Sequence, residues 1–283
     1  MKEKLKEKVI VFVDLDGTAL NSNHEFSNKT KEIVKKLYNK GHLLIPITAR
    51  STKDAIFQQA VNLGLDKLKG IAVANNGTHI YDFKTNSFIR SSTISQDMLK
   101  KVFEKTYGKI GKYKVHYFAN DKTYVYGDGE NSRYWSDIMK VDYKIIKSFE
   151  EIHRDINHLT IILDEKVTDE DIENFYKDFD FVSQQLQITQ YTRRVYELCA
   201  KGINKGEAIQ YILNYYNYDD SNSSIFCFGD SVNDIPMFKV AKYPVAMGNA
   251  IDEIKKLAKF ETLSNDQNGV ADFIEKNILK EGD

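Results

Sequence analysis

Apolar and polar positions in the first eighty residues follow two different periods. The run VIVFV at 9–13 is continuously apolar and β-branched, which is typical of a strand buried on both faces. In the next segment Ile33, Val34 and Leu37 recur at helical spacing before Gly41, which predicts a helix. Two further apolar runs, LLIPIT and GIAVANNG, enclose a second helical pattern. The order β-α-β-α-β implies parallel strands with right-handed crossovers.

The pattern changes from about Tyr81. The segment IYDFKTNSFIRSSTIS alternates on both sides of KTNS and is predicted to be a hairpin. Two later segments, YKVHYFANDKTYVYGD and INHLTIILDE, are predicted to be strands, and VTDEDIENFYKDFD a helix capped by Thr168 or Asp169. This alternation suits an antiparallel sheet with one covered face.

Buried-strand patterns return late, in SSIFCFGDS and YPVAMGNA, with helical patterns before and after them. The simplest topology lets the opening and closing segments complete one sheet. We therefore predict an α/β fold: a doubly wound parallel sheet formed by 1–80 and 196–283, with an α+β domain inserted at 81–195.

Composition narrows the possible classes of protein. The chain has 283 residues, 42% of them hydrophobic and 29% charged, which is typical of a globular protein of two domains. The formal net charge of -1 favours neither nucleic acid nor an anionic membrane as partner. Asp14 interrupts the N-terminal apolar run, so neither a signal peptide nor a membrane span is expected. Cys199 and Cys227 are expected to be buried thiols, which fits a cytoplasmic protein. A monomer or a weak homodimer is expected.

Acidic side chains follow several of the predicted strands. Asp14 and Asp16 come just after the first strand, Thr48 follows the second, and Asp230 and Asp234 follow a late one. Ligands of an open parallel sheet bind outside the carboxyl ends of its strands, so these residues are expected at one edge. Four carboxylates there would repel one another, and their oxygens suit Mg2+. The sequence therefore predicts a magnesium site.

The same residue types suit phosphoryl transfer. A carboxylate can attack phosphorus to form an aspartyl-phosphate, and a second acid two residues away can protonate the leaving oxygen. Gly17 allows the backbone to approach a phosphate, and the Thr48 hydroxyl can hold a phosphoryl oxygen. In GINKGEAI, Lys205 near a helix start can neutralise developing charge.

Each motif alone has a simpler explanation. An Asp-x-Asp pair also occurs in turns, and a single threonine or lysine is commonly a strand-end or solvated residue. An EF-hand is excluded, because its glycine stands at the sixth position, whereas Gly17 is fourth from Asp14. The order of the motifs, each at a strand end or helix start, favours a site.

Four segments, DLDGT, ITAR, NKGEAI and GDSVNDIPMF, resemble the four motifs of the haloacid dehalogenase superfamily of phosphatases. The long insert between the second and third motifs resembles the C2-capped, Cof-type branch (class IIB), which includes sugar-phosphate phosphatases. The segment ANNGTHIYD resembles that branch's passage into the cap. The resemblance implies a Rossmann-like core with an inserted cap, and Mg2+-dependent hydrolysis of a small phosphate ester, most of all a sugar phosphate, through an aspartyl-phosphate.

The resemblance also implies roles for single residues. Asp14 is then the nucleophile, Asp16 the acid and base, and Thr48 and Lys205 bind the phosphoryl group. Ala49 stands where relatives commonly have Gly, and a left-handed backbone there would cost about 1 kcal/mol. The residues implied around the phosphate are Leu15, Gly17, Thr18, Ala49, Arg50 and Asn233, and those of the metal site are Asp14, Asp16 through its carbonyl, and Asp230, with Asp234 and Asn233 in support.

The alternatives are a dehalogenase, a phosphomutase or phosphotransferase, and a non-catalytic binding protein. Halide leaves without a proton or a metal, so a dehalogenase would give Asp16 and the two late acids no task. A phosphomutase or phosphotransferase would use the same phosphoryl-enzyme, and a non-catalytic binding protein would keep only the fold. The choice of substrate is expected to lie in the cap, where Tyr117, Tyr124 and Tyr126 either contact a sugar or pack in the core.

Overall fold

The chain forms two compact units, a core unit and an inserted unit. The computed structural model describes residues 4–50, 52–129, 143–190 and 192–279. The core unit runs through Arg90 and resumes at Ile203, and the inserted unit is Ser91–Gly202. These limits differ from the predicted ones at 80/81 and 195/196. The reason is strand pairing, because the strands between 79 and 90 pair within the core unit and 195–200 pairs within the inserted unit.

The main sheet of the core unit has five strands, and neighbouring strands are parallel. They are β1 (Lys8–Val13), β2 (Leu43–Pro46), β12 (Ser223–Gly229), β13 (Tyr243–Ala246) and β14 (Phe260–Glu261). Their order is β14-β13-β12-β1-β2, so segments from both ends of the chain share one sheet. The predicted parallel sheet is confirmed.

A smaller three-stranded sheet completes the strands of the core unit. It consists of β3 (Ile71–Ala74), β4 (His79–Asp82) and β5 (Ser87–Ser91). β3 and β4 are antiparallel, and one parallel bridge from Ile47 to Val73 connects β3 to the chain beyond β2. The predicted hairpin therefore exists, but it belongs to the core unit.

Helices of the core unit carry the apolar positions that their sequences predict. Ser27 caps the first helix by accepting a hydrogen bond from the Thr30 amide, and Ile33, Val34 and Leu37 are buried. The helices are α1 (Asn28–Asn39), α2 (Thr52–Asp54, continued as a π-helix over Ala55–Ala60), α3 (Leu65–Leu68), α6 (Lys205–Tyr215), α7 (Ile235–Val240), α8 (Asp252–Leu257) and α9 (Gly269–Asn277).

The inserted unit contains a six-stranded sheet. Its strands are β6 (Tyr113–Phe118), β7 (Thr123–Tyr126), β8 (Tyr143–Ile145), β9 (His158–Leu163), β10 (Leu186–Gln190) and β11 (Val195–Ala200). The order is β10-β11-β9-β6-β7-β8, antiparallel except for the β7–β8 pair. The predicted antiparallel sheet is therefore largely confirmed.

Two helices share the core of the inserted unit with this sheet. They are α4 (Gln96–Thr106) and α5 (Asp169–Asp178), and Thr168 caps α5 as predicted. Leu99 and Phe175 are buried in the same cluster as Tyr117, Tyr124 and Tyr126. These tyrosines therefore serve packing.

Cys199 and Cys227 are both free and buried, as expected. Within the described ranges, none of the helices has both the length and the apolar character that crossing a bilayer requires.

Strand register in the core unit brings the predicted motifs to one edge. Val13, the last residue of β1, lies opposite Phe228 of β12 and Pro46 of β2. The amide of Asp14 donates to the Phe228 carbonyl at 3.0 Å, and the amide of Ile47 donates to the Val13 carbonyl at 2.8 Å. The residues after these three strands therefore emerge side by side.

Candidate active site

A buried lysine joins two of the predicted acids. Lys205 is fully buried, and its Nζ lies 2.7 Å from Asp14 Oδ1 and 2.6 Å from Asp234 Oδ1. Lys205 is the first residue of α6, and Asn204 caps this helix by accepting a hydrogen bond from the Glu207 amide. The cap fixes the start of the helix, and with it the origin of the lysine side chain.

The single positive charge of Lys205 cannot balance the negative charges of both Asp14 and Asp234. Burial raises the pKa of Asp14 to about 8, although Lys205 opposes the rise. Burial alone would lower the pKa of Lys205, but Asp14 and Asp234 together raise it above its ordinary value. Lys205 therefore keeps its positive charge, and Asp14 is the carboxyl group whose negative charge is not fully balanced.

Asp234 is held on both of its oxygens. While Oδ1 accepts from Lys205, Oδ2 accepts from the backbone amides of Asp230 at 2.8 Å and Ser231 at 3.0 Å. A β-carbon at Gly229 would lie 2.6 Å from the Asp234 carboxyl carbon, so only glycine fits beside it. Asp234 thus fixes both Lys205 and the backbone that carries Asp230.

Asp230 lies against the loop that follows β1. Its Oδ1 accepts a hydrogen bond from the Thr18 hydroxyl at 2.7 Å. Gly17 has φ +72°, and a β-carbon there would come within 2.5 Å of Asp230 Oδ2, so both conformation and space require glycine. Burial raises the pKa of Asp230 to about 6, and Asp234 adds to the rise.

Three carboxylates form a cluster that suits a divalent cation. Asp14, Asp230 and Asp234 each offer one oxygen, and these oxygens lie within 4.8 Å of one another. With the Lys205 ammonium, the ionised group has a formal charge of -2. Carboxylate oxygens are hard ligands of the kind that Mg2+ prefers. The donor chemistry and the charge therefore fit the predicted metal, with Asp234 in a supporting position because its oxygens already have donors.

Asp16 directs its carboxylate elsewhere. Arg50 donates from Nε to Asp16 Oδ2 at 2.7 Å and from Nη2 to Oδ1 at 2.6 Å. His24 Nδ1 lies 3.1 Å from the same Oδ1. Burial would raise the pKa of Asp16, but the hydrogen bonds and charge of Arg50 lower it overall. Only the backbone carbonyl of Asp16 is then a candidate metal ligand, as the resemblance implied.

The residues after β2 stand beside Asp14. Thr48 is buried, and its Oγ1 accepts from the Arg50 amide at 3.1 Å. Ala49 is exposed and is not among the described residues with positive φ. Alanine at this position, where relatives commonly have glycine, therefore causes no backbone strain. Its amide is therefore available without a backbone penalty.

Leu15 and Asn233, which the sequence predicts near the phosphate, lie in the two loops of the site. The Leu15 side chain is fully buried in the core, which leaves only its backbone for a ligand. Asn233 accepts a hydrogen bond on Oδ1 from the Ser231 hydroxyl at 2.8 Å. Both residues lie in the loops that carry Asp14 and Asp230.

The sequence matches a family model described as haloacid dehalogenase-like hydrolase over residues 11–274. The chain belongs to this family. The matched range includes all the residues of the site, the whole inserted unit and most of the core unit, so the predicted superfamily is confirmed.

Relatives of this hydrolase are similar along nearly its whole length. A Bacillus subtilis protein named 5-amino-6-(5-phospho-D-ribitylamino)uracil phosphatase YwtE is 29% identical, over 94% of this chain and 96% of the relative. A haloacid dehalogenase-like hydrolase from Bacteroides thetaiotaomicron has a TM-score of 0.82 at 20% identity, over 95% and 99% of the two chains. The subclass IIB sugar phosphatase BT4131 has a TM-score of 0.74 at 22% identity, over 95% and 98%.

These similarities confirm that the hydrolase belongs to the Cof-type branch and that it is a phosphoric monoester hydrolase. The solved structures show the fold, a Rossmann-like α/β core with an insert.

Sequence reasoning missed several residues around the site of this hydrolase. His24 and Asp54 contact Asp16 and Arg50, and Asn249 donates from Nδ2 to the Gly17 carbonyl at 2.8 Å. The sequence signals are NSNHEF, two residues after the first motif, and AMGNA, which by itself indicates only the end of a strand.

Proposed function

We propose that this hydrolase is a Mg2+-dependent phosphatase that cleaves a small phosphorylated metabolite, a sugar phosphate in particular, through an aspartyl-phosphate on Asp14. The observation that carries the proposal is the contact between Asp14 and the buried Lys205, 2.7 Å apart beside two further carboxylates. A carboxylate held by a lysine, next to a cation site, can approach an anionic phosphate that would otherwise repel it.

In the first step, Asp14 attacks phosphorus and a bond forms between its carboxylate oxygen and the phosphorus. The bond from phosphorus to the ester oxygen breaks, and its electron pair stays on that oxygen. Arg50 lowers the pKa of Asp16, so the acid is the minor, protonated form of this carboxyl; it gives the leaving oxygen a proton, and the product is a neutral alcohol. Lys205 and the Thr48 hydroxyl hold phosphoryl oxygens during the transfer.

In the second step, water replaces Asp14 on phosphorus. The Asp16 carboxylate, deprotonated by the first step, accepts a proton from the water as its oxygen attacks. The bond between Asp14 and phosphorus breaks, and its electrons return to the carboxylate. Inorganic phosphate is released, and both aspartates regain their starting states.

Asp14, Asp230 and the Asp16 carbonyl are the groups that would hold Mg2+. When bound, the ion neutralises phosphoryl charge and the charge of the acidic cluster. Asp234 keeps Asp230 in place through the backbone amide that it accepts from.

The names of two relatives support the substrate class. YwtE is named for a phosphate ester on a ribityl chain, and BT4131 is described as a sugar phosphatase. Both names describe the phosphate of a polyhydroxylated carbon chain. A primary phosphate of such a chain is therefore the substrate class that we propose here.

Phosphate release tests the proposal. The purified chain is incubated with sugar phosphates, nucleotides, ribityl phosphates and p-nitrophenyl phosphate, with Mg2+ or with EDTA. We expect release that requires Mg2+ and is fastest with a sugar or ribityl phosphate. Transfer of the phosphoryl group to a second sugar without release would identify a phosphotransferase instead. Lack of any reaction by folded protein would overturn the proposal.

A further inference from the structure

The carboxylate of Asp16 has partners on both oxygens, and they come from two separate segments. Arg50 supplies two hydrogen bonds, at 2.6 and 2.7 Å, one to each carboxylate oxygen, which is the paired contact that guanidinium groups form with carboxylates. His24 Nδ1 adds a third contact at 3.1 Å and also lies 3.2 Å from Arg50 Nη2. The three side chains therefore form a closed triangle of contacts.

A tight turn places His24 in this triangle. The Asn21 side chain accepts hydrogen bonds from the amides of Asn23 and Glu25, both at 3.0 Å, and the His24 amide donates to the Asn21 carbonyl at 2.9 Å. His24 itself has φ +59°, a left-handed conformation that few side chains adopt readily. The turn thus directs the imidazole of an otherwise exposed residue, 69% accessible, toward Asp16.

Arg50 is fixed from its other side. Its Nη1 donates to Asp54 Oδ2 at 2.8 Å, one helical turn further on, and its side chain is only 13% exposed. Each of the three guanidinium nitrogens therefore donates to a carboxylate, two to Asp16 and one to Asp54. Such a group fits the task of orienting Asp16 better than that of binding phosphate.

We propose that His24 and Arg50 are positioning residues that hold Asp16 where it exchanges a proton with the leaving oxygen. This inference rests on the proposed function, because it assigns a task within the first step. Neither residue needs to touch the phosphoryl group. His24 lies outside the segments DLDGT, ITAR, NKGEAI and GDSVNDIPMF, and its place is visible only in the folded chain.

The chemistry of the leaving group gives a specific readout. A sugar alkoxide needs a proton from Asp16 as the bond from phosphorus to oxygen breaks. p-Nitrophenolate is a stable anion and leaves without one. The ratio kcat/KM reports only the steps through formation of the phosphoryl-enzyme, since water attack follows departure of the alcohol. A misplaced Asp16 should therefore lower kcat/KM for the sugar phosphate much more than for the aryl phosphate.

Three variants change the side-chain contacts to Asp16 and leave the backbone of the turn unchanged. His24→Gly keeps the left-handed turn without strain and removes the imidazole, whereas His24→Asn keeps the turn and restores an N–H donor. Arg50→Lys keeps the charge and removes the paired contact. Asn23→Ala is the matched control, because Asn23 donates to the Asn21 side chain through its backbone amide, which alanine keeps.

The substrates are the sugar phosphate that the wild type hydrolyses fastest and p-nitrophenyl phosphate. For His24→Gly and Arg50→Lys we expect kcat/KM to fall at least ~10-fold on the sugar phosphate and less than ~3-fold on the aryl phosphate. His24→Asn should recover part of the loss, and Asn23→Ala should match the wild type. Equal losses on both substrates, or no loss, would overturn the positioning role while the phosphatase stands. A wild type inactive on every ester would overturn the proposed function and this inference with it.

Discussion

Gly206 lies directly against the backbone of Pro236. A β-carbon at Gly206 would be 2.3 Å from the Pro236 carbonyl oxygen, a distance at which one of the two helices must move. Gly206 follows Lys205 in the first turn of α6, and Pro236 comes two residues after Asp234, at the start of α7. The absent side chain therefore lets the two helix starts approach until Lys205 reaches Asp234 at 2.6 Å.

Gly206→Ala is expected to separate these helices. We expect the free energy of unfolding to fall by about 1–3 kcal/mol, as for other overpacked sites, and phosphate release to slow because Lys205 moves away from Asp14. Urea denaturation and the release assay measure the two effects. Gly111→Ala is the control, since nothing lies within 4 Å of a β-carbon there. Unchanged activity in Gly206→Ala would show that the close approach does not position the lysine.

Asp14→Asn tests the nucleophile. The amide cannot attack phosphorus, so turnover should fall to below about one thousandth of the wild-type rate. The fold should persist, because burial already raises the pKa of Asp14 to about 8 and Lys205 keeps Asp234 as partner. Circular dichroism and thermal unfolding check the fold, and phosphate release checks turnover. A variant that remained active would contradict the assignment of Asp14.

Asp230 and Asp234 should respond differently to the same change. Asp234 is completely buried and holds Lys205 and two amides, so Asp234→Asn leaves an ammonium facing an amide and should cost about 3 kcal/mol of stability. Asp230 is half-buried, so Asp230→Asn should cost less than about 1 kcal/mol. It should instead raise the Mg2+ concentration for half-maximal activity by about 10-fold or more. Urea denaturation measures the stability of the two variants, and a Mg2+ titration of activity measures their need for the ion. A larger loss of stability in Asp230→Asn, or a larger rise in the Mg2+ requirement in Asp234→Asn, would contradict the roles assigned to the two residues.

Much of the core unit could be predicted because its signals are local. Buried parallel strands are continuous apolar runs, and the residues that follow them must meet at one edge, as Asp14, Thr48 and Asp230 do. Even so, the helices α4, α7 and α9 are not predicted from these patterns. Ser95 caps α4 by accepting a hydrogen bond from the Met98 amide, and the apolar residues of this helix recur at helical spacing. Both signals are present in the sequence, but the segments on either side have strand patterns, which makes the helix harder to recognise.

What could not be predicted depends on contacts between distant residues. The β4–β5 hairpin was recognisable, but its pairing with β3, which sets the unit boundary at Arg90, is a choice of partner that alternation does not encode. The paired contact between Arg50 and Asp16 joins residues 34 positions apart. Motif spacing placed both at the edge of the sheet, and only the folded chain shows that they bind each other.

Two buried histidines should make stability depend on pH. Burial lowers the pKa of His79, in the core unit, and of His116, in the inserted unit, to about 4 each. An unfolded histidine titrates near 6.5, so between about pH 6.5 and 4 the unfolded chain binds protons that the folded chain does not. Stability is therefore full above pH 6.5 and falls as the pH drops toward 4. At pH 5 each histidine should cost about 2 kcal/mol.

Comparison with His79→Gln isolates this effect from the titration of carboxylates. The glutamine can still bond Thr52 and Asn75, the polar partners of His79, but it takes up no proton. The unfolding free energy, measured with urea at pH 7 and pH 5, should therefore fall about 2 kcal/mol less in the variant than in the wild type. The same fall in both proteins would mean that His79 accepts a proton in the folded core, and its burial would then not govern its charge.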